Sequence, residues 1–591
     1  MNDIQRKLDY ACAIADWFLE IAEGQNRAGC FEDGLKYTRI AALILARQNR
    51  VLSYESVEAN LQFIAERLVE HSESNAVRRS GISKPQVHLH VLSEVLPAGG
   101  LTTMATRWIK NDSNGRIHSL VLLAQEVPVP NALSQAVLET GGRIYIADPR
   151  QSLLQRARWL RGLANELATH VILYIDVADV ICGAAFGAKG GPPILLVNQN
   201  AHTYWTGASF VDLVVNCRGS DLERTWTELH RGIPRGITVP IPLPEPVEAE
   251  LSTESFLEIS RQAKKAIGIP DGATVVLTVG PSCKYLAIEG LDFVAVFESI
   301  LRALPNTYLI GVGMVEDQRW SSASERVGRR IRVLGTLTQA QLATVHNATD
   351  LYVEGFPFGT TTALLEAGLK GIPVVLAPTE CPPPFGSDGV ALDGVVERPR
   401  TMEQYKSTIA RLCGNPEERY LQGRKLLEAI AKHHTGHGWS KYLDAALKEV
   451  PSNHLTYPFH RGERTPTAIH EYWAMIASRW GVPYEETLES AVLYAMSVGL
   501  QPQLTATFLK ACREYNDVRR HRTIPLTLLK FLLNVLLARL PKTWAPEIFR
   551  FFSFVYREAF LRRLMRRLCR KFGKLEDRPA PYQEYRQMKA E

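Results

Sequence analysis

The stretch Val353–Pro378, VEGFPFGTTTALLEAGLKGIPVVLAP, decides the fold of this 591-residue chain. Three threonines follow Gly359, and the helix-like run after them ends near Gly371 and Pro373. Apolar segments typical of strands stand on both sides, DLYV before the glycine and IPVVLAP after the helix. A strand, a helix and a second strand in this order predict a parallel β-α-β unit.

The same alternation of strands and helices runs through most of the chain. It predicts an α/β protein with two Rossmann-like, doubly wound domains, flanked by all-helical regions at both ends. We place the N-terminal helical region at 1–84, the first Rossmann-like domain at 85–245, the second at 246–450 and a basic helical region at 451–591. The Pro-rich, then acidic stretch 240–250 is predicted to link the two domains. Ligands of such sheets bind beyond the carboxyl ends of the strands.

Composition narrows the class of protein. Hydrophobic residues make up 46% of the chain and charged residues 22%, as in ordinary globular proteins. The nine cysteines form no C-x-x-C pair, which argues against a zinc ribbon or a thioredoxin motif. The N-terminus has no signal-peptide pattern, and no segment reaches the roughly 18–20 apolar residues of a spanning helix. We therefore expect a cytoplasmic protein.

The stretch Gly359, Thr360, Thr361, Thr362 has the properties of a phosphate site. Backbone N–H groups at a helix start attract anions, a glycine permits close approach, and threonine hydroxyls add hydrogen bonds. Glu366, one turn further on, has the chemistry to accept hydrogen bonds from ribose hydroxyls. The alternative from these residues alone is a threonine helix cap and a solvated glutamate.

A family resemblance favours the first interpretation. The run ALLEAGLKGIPVVLAP resembles the donor-binding helix of GT-B glycosyltransferases, including bacterial group-1 enzymes. FPFGTTT resembles a stretch of the bacterial cytoplasmic N-glycosyltransferases that modify adhesins and, more distantly, of O-GlcNAc transferases. The resemblance covers about 86–450 and is strong at 350–378. It implies a nucleotide-diphosphate sugar donor, most simply a UDP-sugar, and inverting transfer to a protein, glycan or lipid-linked acceptor. Many retaining members have a glutamate where this chain has Phe358.

The resemblance extends to three other short stretches. Gly280 and Lys284 lie in a loop that carries a diphosphate-binding basic residue in similar enzymes, where a positive charge stabilises the leaving group. Gly99 and Gly100 resemble the glycine loop that admits acceptor or donor. His202 stands in an Ala-His element like that of the adhesin-type enzymes, which implies a role as base or as hydrogen-bond donor to the leaving group.

We predict no metal site and no cofactor. The chain contains no D-x-D, the pair that holds Mn²⁺ or Mg²⁺ in glycosyltransferases of the other major fold. The histidine-rich HHTGHGW at 433–439 has no acidic residue or cysteine close by. The helix dipole, the threonines and the lysine are predicted to replace a cation.

The C-terminal part of the chain is strongly basic. Residues 513–574 contain 16 Lys and Arg against 4 Asp and Glu, a local charge of +12 that leaves −6 for the rest. Arginines alternate with leucines at helical spacing, so residues 524–574 are predicted to attach to the anionic inner face of the cytoplasmic membrane. The alternative is a packed helical bundle with its arginines outside. Nucleic acid is not expected, since a stacking platform is missing.

Two other functions stay open beside the glycosyltransferase. A nucleotide-sugar 2-epimerase shares the double Rossmann-like plan, and a catalytically inactive scaffold would bind donor without turnover. A dehydrogenase is disfavoured because no strand is followed by G-x-G-x-x-G and a helix.

Overall fold

The computed structural model describes residues 2–48, 51–70, 86–97, 99–174, 176, 178–199, 201, 203–218, 221–246, 253–287, 290–379 and 386–463. They belong to one compact unit that spans Met1–Ile476. The predicted catalytic His202, the basic segment 524–574 and most of the predicted C-terminal helical region lie outside the described residues.

Three helices form the N-terminal region, as predicted: α1 (Asn2–Arg27), α2 (Phe31–Gln48) and α3 (Glu55–Glu70). Helix α3 contributes the buried carboxylate of Glu58 to the first sheet domain. This carboxylate accepts hydrogen bonds from the Gly207 N–H at 2.8 Å and from the Ser209 hydroxyl at 2.6 Å. The helical region is therefore fixed to the adjoining domain by a buried polar contact as well as by its apolar face.

The first sheet has seven parallel strands in the order β3-β2-β1-β4-β5-β6-β7. Its strands are β1 (Val87–Leu92), β2 (Ile117–Leu122), β3 (Ile144–Ile146), β4 (His170–Tyr174), β5 (Ile194–Asn198), β6 (Leu213–Asn216) and β7 (Gly236–Thr238). Its helices are α4 (Gly100–Asn111), α5 (Asn131–Glu139), α6 (Leu153–Leu167), α7 (Val180–Phe186) and α8 (Asp221–Arg231). The inner strands β1, β2, β4, β5 and β6 are almost continuously buried, as parallel strands covered by helices on both faces are, whereas the edge strands β3 and β7 are partly exposed.

The second sheet has five parallel strands in the order β10-β9-β8-β11-β12. Its strands are β8 (Thr274–Val279), β9 (Thr307–Val312), β10 (Ile331–Val333), β11 (Leu351–Val353) and β12 (Val374–Val375). The helices around it are α9 (Thr253–Ala266), α10 (Phe293–Ala303), α11 (Gln318–Arg326), α12 (Gln339–Ala348), α13 (Thr361–Gly368), α14 (Met402–Gly414) and α15 (Pro416–His434). The predicted fold class of two doubly wound sheets preceded by helices is confirmed, while the exact domain bounds stay predictions.

Each sheet has one point where the strand order reverses, between β1 and β4 in the first and between β8 and β11 in the second. Crevices that bind ligands in doubly wound sheets form at the carboxyl ends of the strands at such points. The loop with Gly280 and Lys284 follows β8, and the loop that begins helix α13 follows β11. The switch point of the second sheet thus collects the residues that the sequence predicts to bind the donor.

The chain returns to the first domain through its last described helix, α16 (Gly436–Lys448). Trp439 of α16 packs edge-on against Trp108 of α4, with ring centroids 5.1 Å apart. The indole N–H of Trp439 donates to the Pro240 carbonyl at 2.6 Å, and the Gly436 N–H donates to Asn111 Oδ1 at 2.5 Å. These contacts join α16 to α4 and to the segment between the sheets.

The segment predicted as a linker is partly buried rather than fully exposed. Ile241 and Leu243 are 6% and 0% exposed, and the Leu243 N–H donates to the His434 carbonyl at 2.7 Å.

Residues 451–463, placed in the predicted helical C-terminal region, contain no helix. They lie along the first domain, where His454 contacts Asp212 at 2.8 Å. Among the helices of the described residues, none is both long enough and apolar enough to cross a membrane.

Candidate functional site

A cavity of about 370 Å³ lies between the carboxyl ends of the two sheets. We call it the cleft. Seven of the ten residues that the sequence singles out line it: Gly100, Lys284, Gly359, Thr360, Thr361, Thr362 and Glu366. The structure thus brings residues from the two domains, up to 266 positions apart in the chain, to one site.

Of the other three predicted residues, Gly99 and Gly280 do not line the cleft. Gly99 precedes α4 as its N-cap residue. Gly280 lies behind Thr360, where an added Cβ would come within 3.0 Å of the Thr360 hydroxyl and 3.2 Å of the Tyr285 hydroxyl. This position gives Gly280 a packing role, because a larger residue would push the loop before α13 outward. His202 lies outside the described residues.

The three threonines at the start of helix α13 differ in their hydrogen-bond contacts. The Thr360 hydroxyl donates to the Val279 carbonyl at 2.7 Å, which ties the helix start to the end of β8. The Thr361 hydroxyl lies 2.9 Å from the Ser387 hydroxyl. The Thr362 hydroxyl has no hydrogen-bond partner within the described residues, and the first backbone bond of the helix runs from the Leu364 N–H to the Thr360 carbonyl at 3.1 Å. The earlier amides of the first turn are therefore unused by the helix, as an anion site requires.

Lys284 lies beside this helix start, in a short 3-10 turn that spans Ser282–Tyr285. Its Nζ donates to the Gly359 carbonyl at 2.8 Å and lies 4.7 Å from the centre of the Phe358 ring. Burial lowers the pKa of Lys284 from 10.5 to about 8, because water no longer solvates the ammonium. An anion bound at the helix start would supply the opposite charge that this ammonium otherwise lacks.

Glu366 is paired across the cleft. Its carboxylate contacts the guanidinium of Arg107 on α4, and the two side chains are 26% and 18% exposed. Glu366 is predicted from its sequence context to bind ribose hydroxyls, whereas Arg107 was not predicted to belong to the site. The helical period was the available signal, since Gly100, Thr103, Met104 and Arg107 stand at i, i+3, i+4 and i+7 of α4 and all line the cleft.

A second arginine was also missed. Arg218 lines the cleft two residues after the end of β6 and donates from Nη1 to the Gly386 carbonyl at 3.3 Å. Its Nε lies 3.9 Å from a carboxylate oxygen of Asp388, so this contact too joins the two domains. A polar residue that closely follows a buried parallel strand is a signal for such a position, because the carboxyl ends of the strands face the crevice.

Glu354 is the nearest acidic residue before the threonines in the chain, and it stabilises the loop that contains Ser387. It is fully buried after β11, and its carboxylate accepts from the backbone N–H groups of Ala377 at 2.8 Å and Ser387 at 2.7 Å. It thereby fixes the loop whose Ser387 contacts Thr361. Glu354 has a positioning role and does not line the cleft.

The chain is similar in structure to several known proteins. No protein-family model and no curated protein matches the sequence. An O-GlcNAc transferase mutant from Thermobaculum terrenum matches at 14% identity and a TM-score of 0.44, over 74% of this chain and 84% of that one. A glycosyltransferase from Rickettsia africae matches at 11% and 0.46, over 62% and 99%. Anabaena HepE in complex with UDP-glucose matches at 14% and 0.44, over 61% and 100%. At these identities and TM-scores, the matches assign neither a substrate nor a reaction to this chain.

The helix start predicts binding of a diphosphate group. Replacing Thr361 and Thr362 together with valine removes two hydroxyl donors, each worth about 1.5–3 kcal/mol toward a charged acceptor. We expect the affinity for inorganic pyrophosphate to fall at least about tenfold by calorimetry. The variant Thr344→Val, on helix α12 and outside the cleft, is the matched control. Unchanged pyrophosphate affinity in the double variant would exclude the hydroxyls as ligands.

The lowered pKa of Lys284 predicts that anion binding depends on pH. The protonated ammonium of Lys284 attracts the anion. The affinity for pyrophosphate is therefore expected to decline as the pH rises through about 8, the pKa of Lys284 in the ligand-free protein. The variant Lys284→Arg keeps its charge over this range. Titration of pyrophosphate itself affects both proteins, so the informative quantity is the ratio of their dissociation constants between pH 7 and 9. A ratio that does not change with pH would contradict the assignment.

Proposed function

We propose that this protein is a glycosyltransferase that moves a sugar from a nucleotide-diphosphate donor, most simply a UDP-sugar, to an acceptor. The observation that carries the proposal is the composition of the cleft. The second domain contributes an open helix start, Lys284 and Glu366, and the first domain contributes Gly100 and Arg107 on the facing side. This arrangement offers separate groups for a diphosphate, a ribose and a second substrate.

The first-turn amides of α13, together with the hydroxyls of Thr361 and Thr362, hold the donor diphosphate. Lys284 lies next to them and stabilises the charge that develops on the diphosphate as the glycosidic bond breaks. In the transfer step, an acceptor oxygen or nitrogen bonds to the anomeric carbon, the bond from that carbon to the diphosphate oxygen breaks, and the acceptor proton passes to a base. The family resemblance proposes His202 as that base and inversion as the stereochemical outcome.

The cleft favours transfer without a bound cation. Glu366 is the one carboxylate among the described residues that line it, and Arg107 already pairs with that group. Hard cations such as Mg²⁺ and Mn²⁺ prefer several oxygen ligands. Lys284 and the helix start provide positive potential at the place where a cation would otherwise neutralise the diphosphate.

A donor screen tests the function directly. The full chain is incubated with UDP-, GDP- and dTDP-sugars, with and without Mg²⁺, and the products are identified by mass spectrometry and NMR. We expect the natural chain to cleave a donor. We expect the substitution Arg107→Ala, on the acceptor side of the cleft, to reduce that cleavage. A product sugar with inverted C2 configuration, free or still attached to the nucleotide, would support the 2-epimerase instead. Binding without any turnover would support the inactive scaffold.

Glu366 provides a test of the ribose contact that is separate from the diphosphate. The variant Glu366→Gln weakens hydrogen bonds to a charged acceptor, each worth about 1.5–3 kcal/mol, so UDP affinity is expected to fall about tenfold or more. Affinity for pyrophosphate, which has no ribose, is expected to stay the same or rise, because Arg107 loses its anionic partner. Equal losses for UDP and pyrophosphate would place Glu366 at the diphosphate or in a purely structural role.

We also propose peripheral attachment to an anionic membrane through residues 524–574, which suits a lipid-linked acceptor. The positive charge of this segment supports the attachment, since anionic lipids contribute about 1 kcal/mol per basic residue near the surface. The full chain is expected to co-sediment with phosphatidylserine vesicles at low salt, and a version ending at Glu463, which keeps the contact of His454 with Asp212, is expected to stay in the supernatant. Equal binding of the two, or binding of neither, would favour the packed helical bundle.

A further inference from the structure

Three histidines form a row across the first sheet. His88 on β1 is the register partner of His118 on β2 and of His170 on β4. Each lies near the amino-terminal start of its strand, at the opposite edge of the sheet from the cleft. His88 and His118 are 0% exposed. Interior positions of parallel sheets usually hold Val, Ile or Leu, so a row of imidazoles there needs a chemical reason.

Asp112, the residue that ends helix α4, points its carboxylate into this row. Its Oδ2 lies 3.3 Å from His118 Nε2 and 3.8 Å from His88 Nδ1, and the side chain is 0% exposed. One ligand atom from each of the three residues lies within 4.8 Å of the other two. Tetrahedral zinc, with bonds of about 2.0–2.2 Å to nitrogen and oxygen, places its ligand atoms about 3.4 Å apart. Small side-chain rotations would reach that geometry.

Three donor atoms that face this point, His88 Nδ1, His118 Nε2 and Asp112 Oδ2, make no hydrogen bond in the part of the chain that the structure describes, and the closest approach among them is the 3.3 Å contact between His118 and Asp112. His88 Nε2, on the other side of its ring, makes no hydrogen bond there either. A buried polar atom without a partner costs about 1–3 kcal/mol, and more when it is charged. Three such atoms around one buried point are an expensive arrangement unless a ligand occupies it.

The outward-facing atoms of the same residues are held by further contacts. His118 Nδ1 lies 2.8 Å from His90 Nε2, and Asp112 Oδ1 accepts from Arg116 Nη1 at 2.7 Å. Arg116 also contacts Asp444 of α16, so its positive charge is shared between two carboxylates. Partners that fix the ring orientation of a histidine and the second oxygen of a carboxylate are typical of metal sites.

We propose that His88, His118 and Asp112 bind a structural zinc ion. Imidazole and carboxylate ligands suit this metal, and water or the neighbouring ring of His170, whose centroid lies 5.2 Å from that of His88, completes the tetrahedron. The ion joins the end of α4 to strands β1 and β2. This end of the 12-residue helix lies about 17 Å from Gly100 in the cleft, by the usual rise per residue. The zinc is therefore remote from the sugar-transfer site, and its presence does not depend on the proposed function.

Metal content and cobalt spectra of the untagged full chain test the site. Protein purified without chelator is expected to hold about one equivalent of Zn²⁺ by elemental analysis. After zinc removal, added Co²⁺ is expected to give the visible absorption bands of a tetrahedral site. Strong near-ultraviolet thiolate bands would place the metal on cysteines and overturn the assignment, as would failure to bind either ion.

Variants locate the site. His118→Gln keeps a neutral polar side chain and is expected to reduce bound Zn²⁺ to less than about a tenth of an equivalent and to abolish the rise in melting temperature on adding Zn²⁺. The matched control, His437→Gln, removes an exposed histidine of α16 and is expected to bind zinc like the natural chain. Equal zinc content in the two variants would overturn the proposal. If His118→Gln fails to fold, the cobalt spectrum of the natural chain still decides the ligand type.

Discussion

The packing of α16 on α4 is the constraint on which the cleft depends. Helix α16 follows the second sheet in the chain, yet Trp439 packs against Trp108 of the first domain and donates to the Pro240 carbonyl. Aromatic pairs of this kind contribute about 0.5–1.5 kcal/mol beyond their buried area. Because α16 and the buried segment around Leu243 both cross between the domains, the carboxyl ends of two separate sheets are held facing each other. Without that placement, each sheet would have its own half of a site.

The charged side chains of the cleft explain how the ligand-free cleft is stable and can still bind an anion. Arg107 pairs with Glu366, and Arg218 lies near Asp388, so each cationic side chain from the first domain has an acidic partner on the second. Lys284 differs from them, since it is bound to a carbonyl oxygen and its pKa is lowered by burial. Much of the unsatisfied positive potential therefore lies at Lys284 and the helix start beside it. A diphosphate placed there gains a charge partner without first breaking an ion pair.

The sequence predicts features whose residues are neighbours in the chain. It misses features whose residues come together only in the folded protein. The alternation of strands and helices along the chain was enough to predict both sheets. The helix start at Gly359 was also found, because its glycine, threonines and flanking strand are contiguous. Arg107 and Arg218 were missed because their roles depend on partners 259 and 168 positions away, at Glu366 and Gly386. The histidine row was missed for a related reason. Each histidine begins a strand, but their register across β1, β2 and β4 is a property of the sheet.

Helix α4 connects these separate features. Its residues at the helical spacing of Gly100, Thr103 and Arg107 face the cleft, while Trp108 and Asn111 contact α16. Its last turn leads into Asp112 and the buried histidines. A helix behaves as a nearly rigid rod over three turns, so a displacement at Asp112 or Trp108 moves the guanidinium of Arg107 relative to Glu366. The buried polar cluster and the aromatic contact therefore both act on the position of α4, although neither lines the cleft. The placement of Arg107 opposite Glu366 thus depends on contacts made at the far end of its own helix.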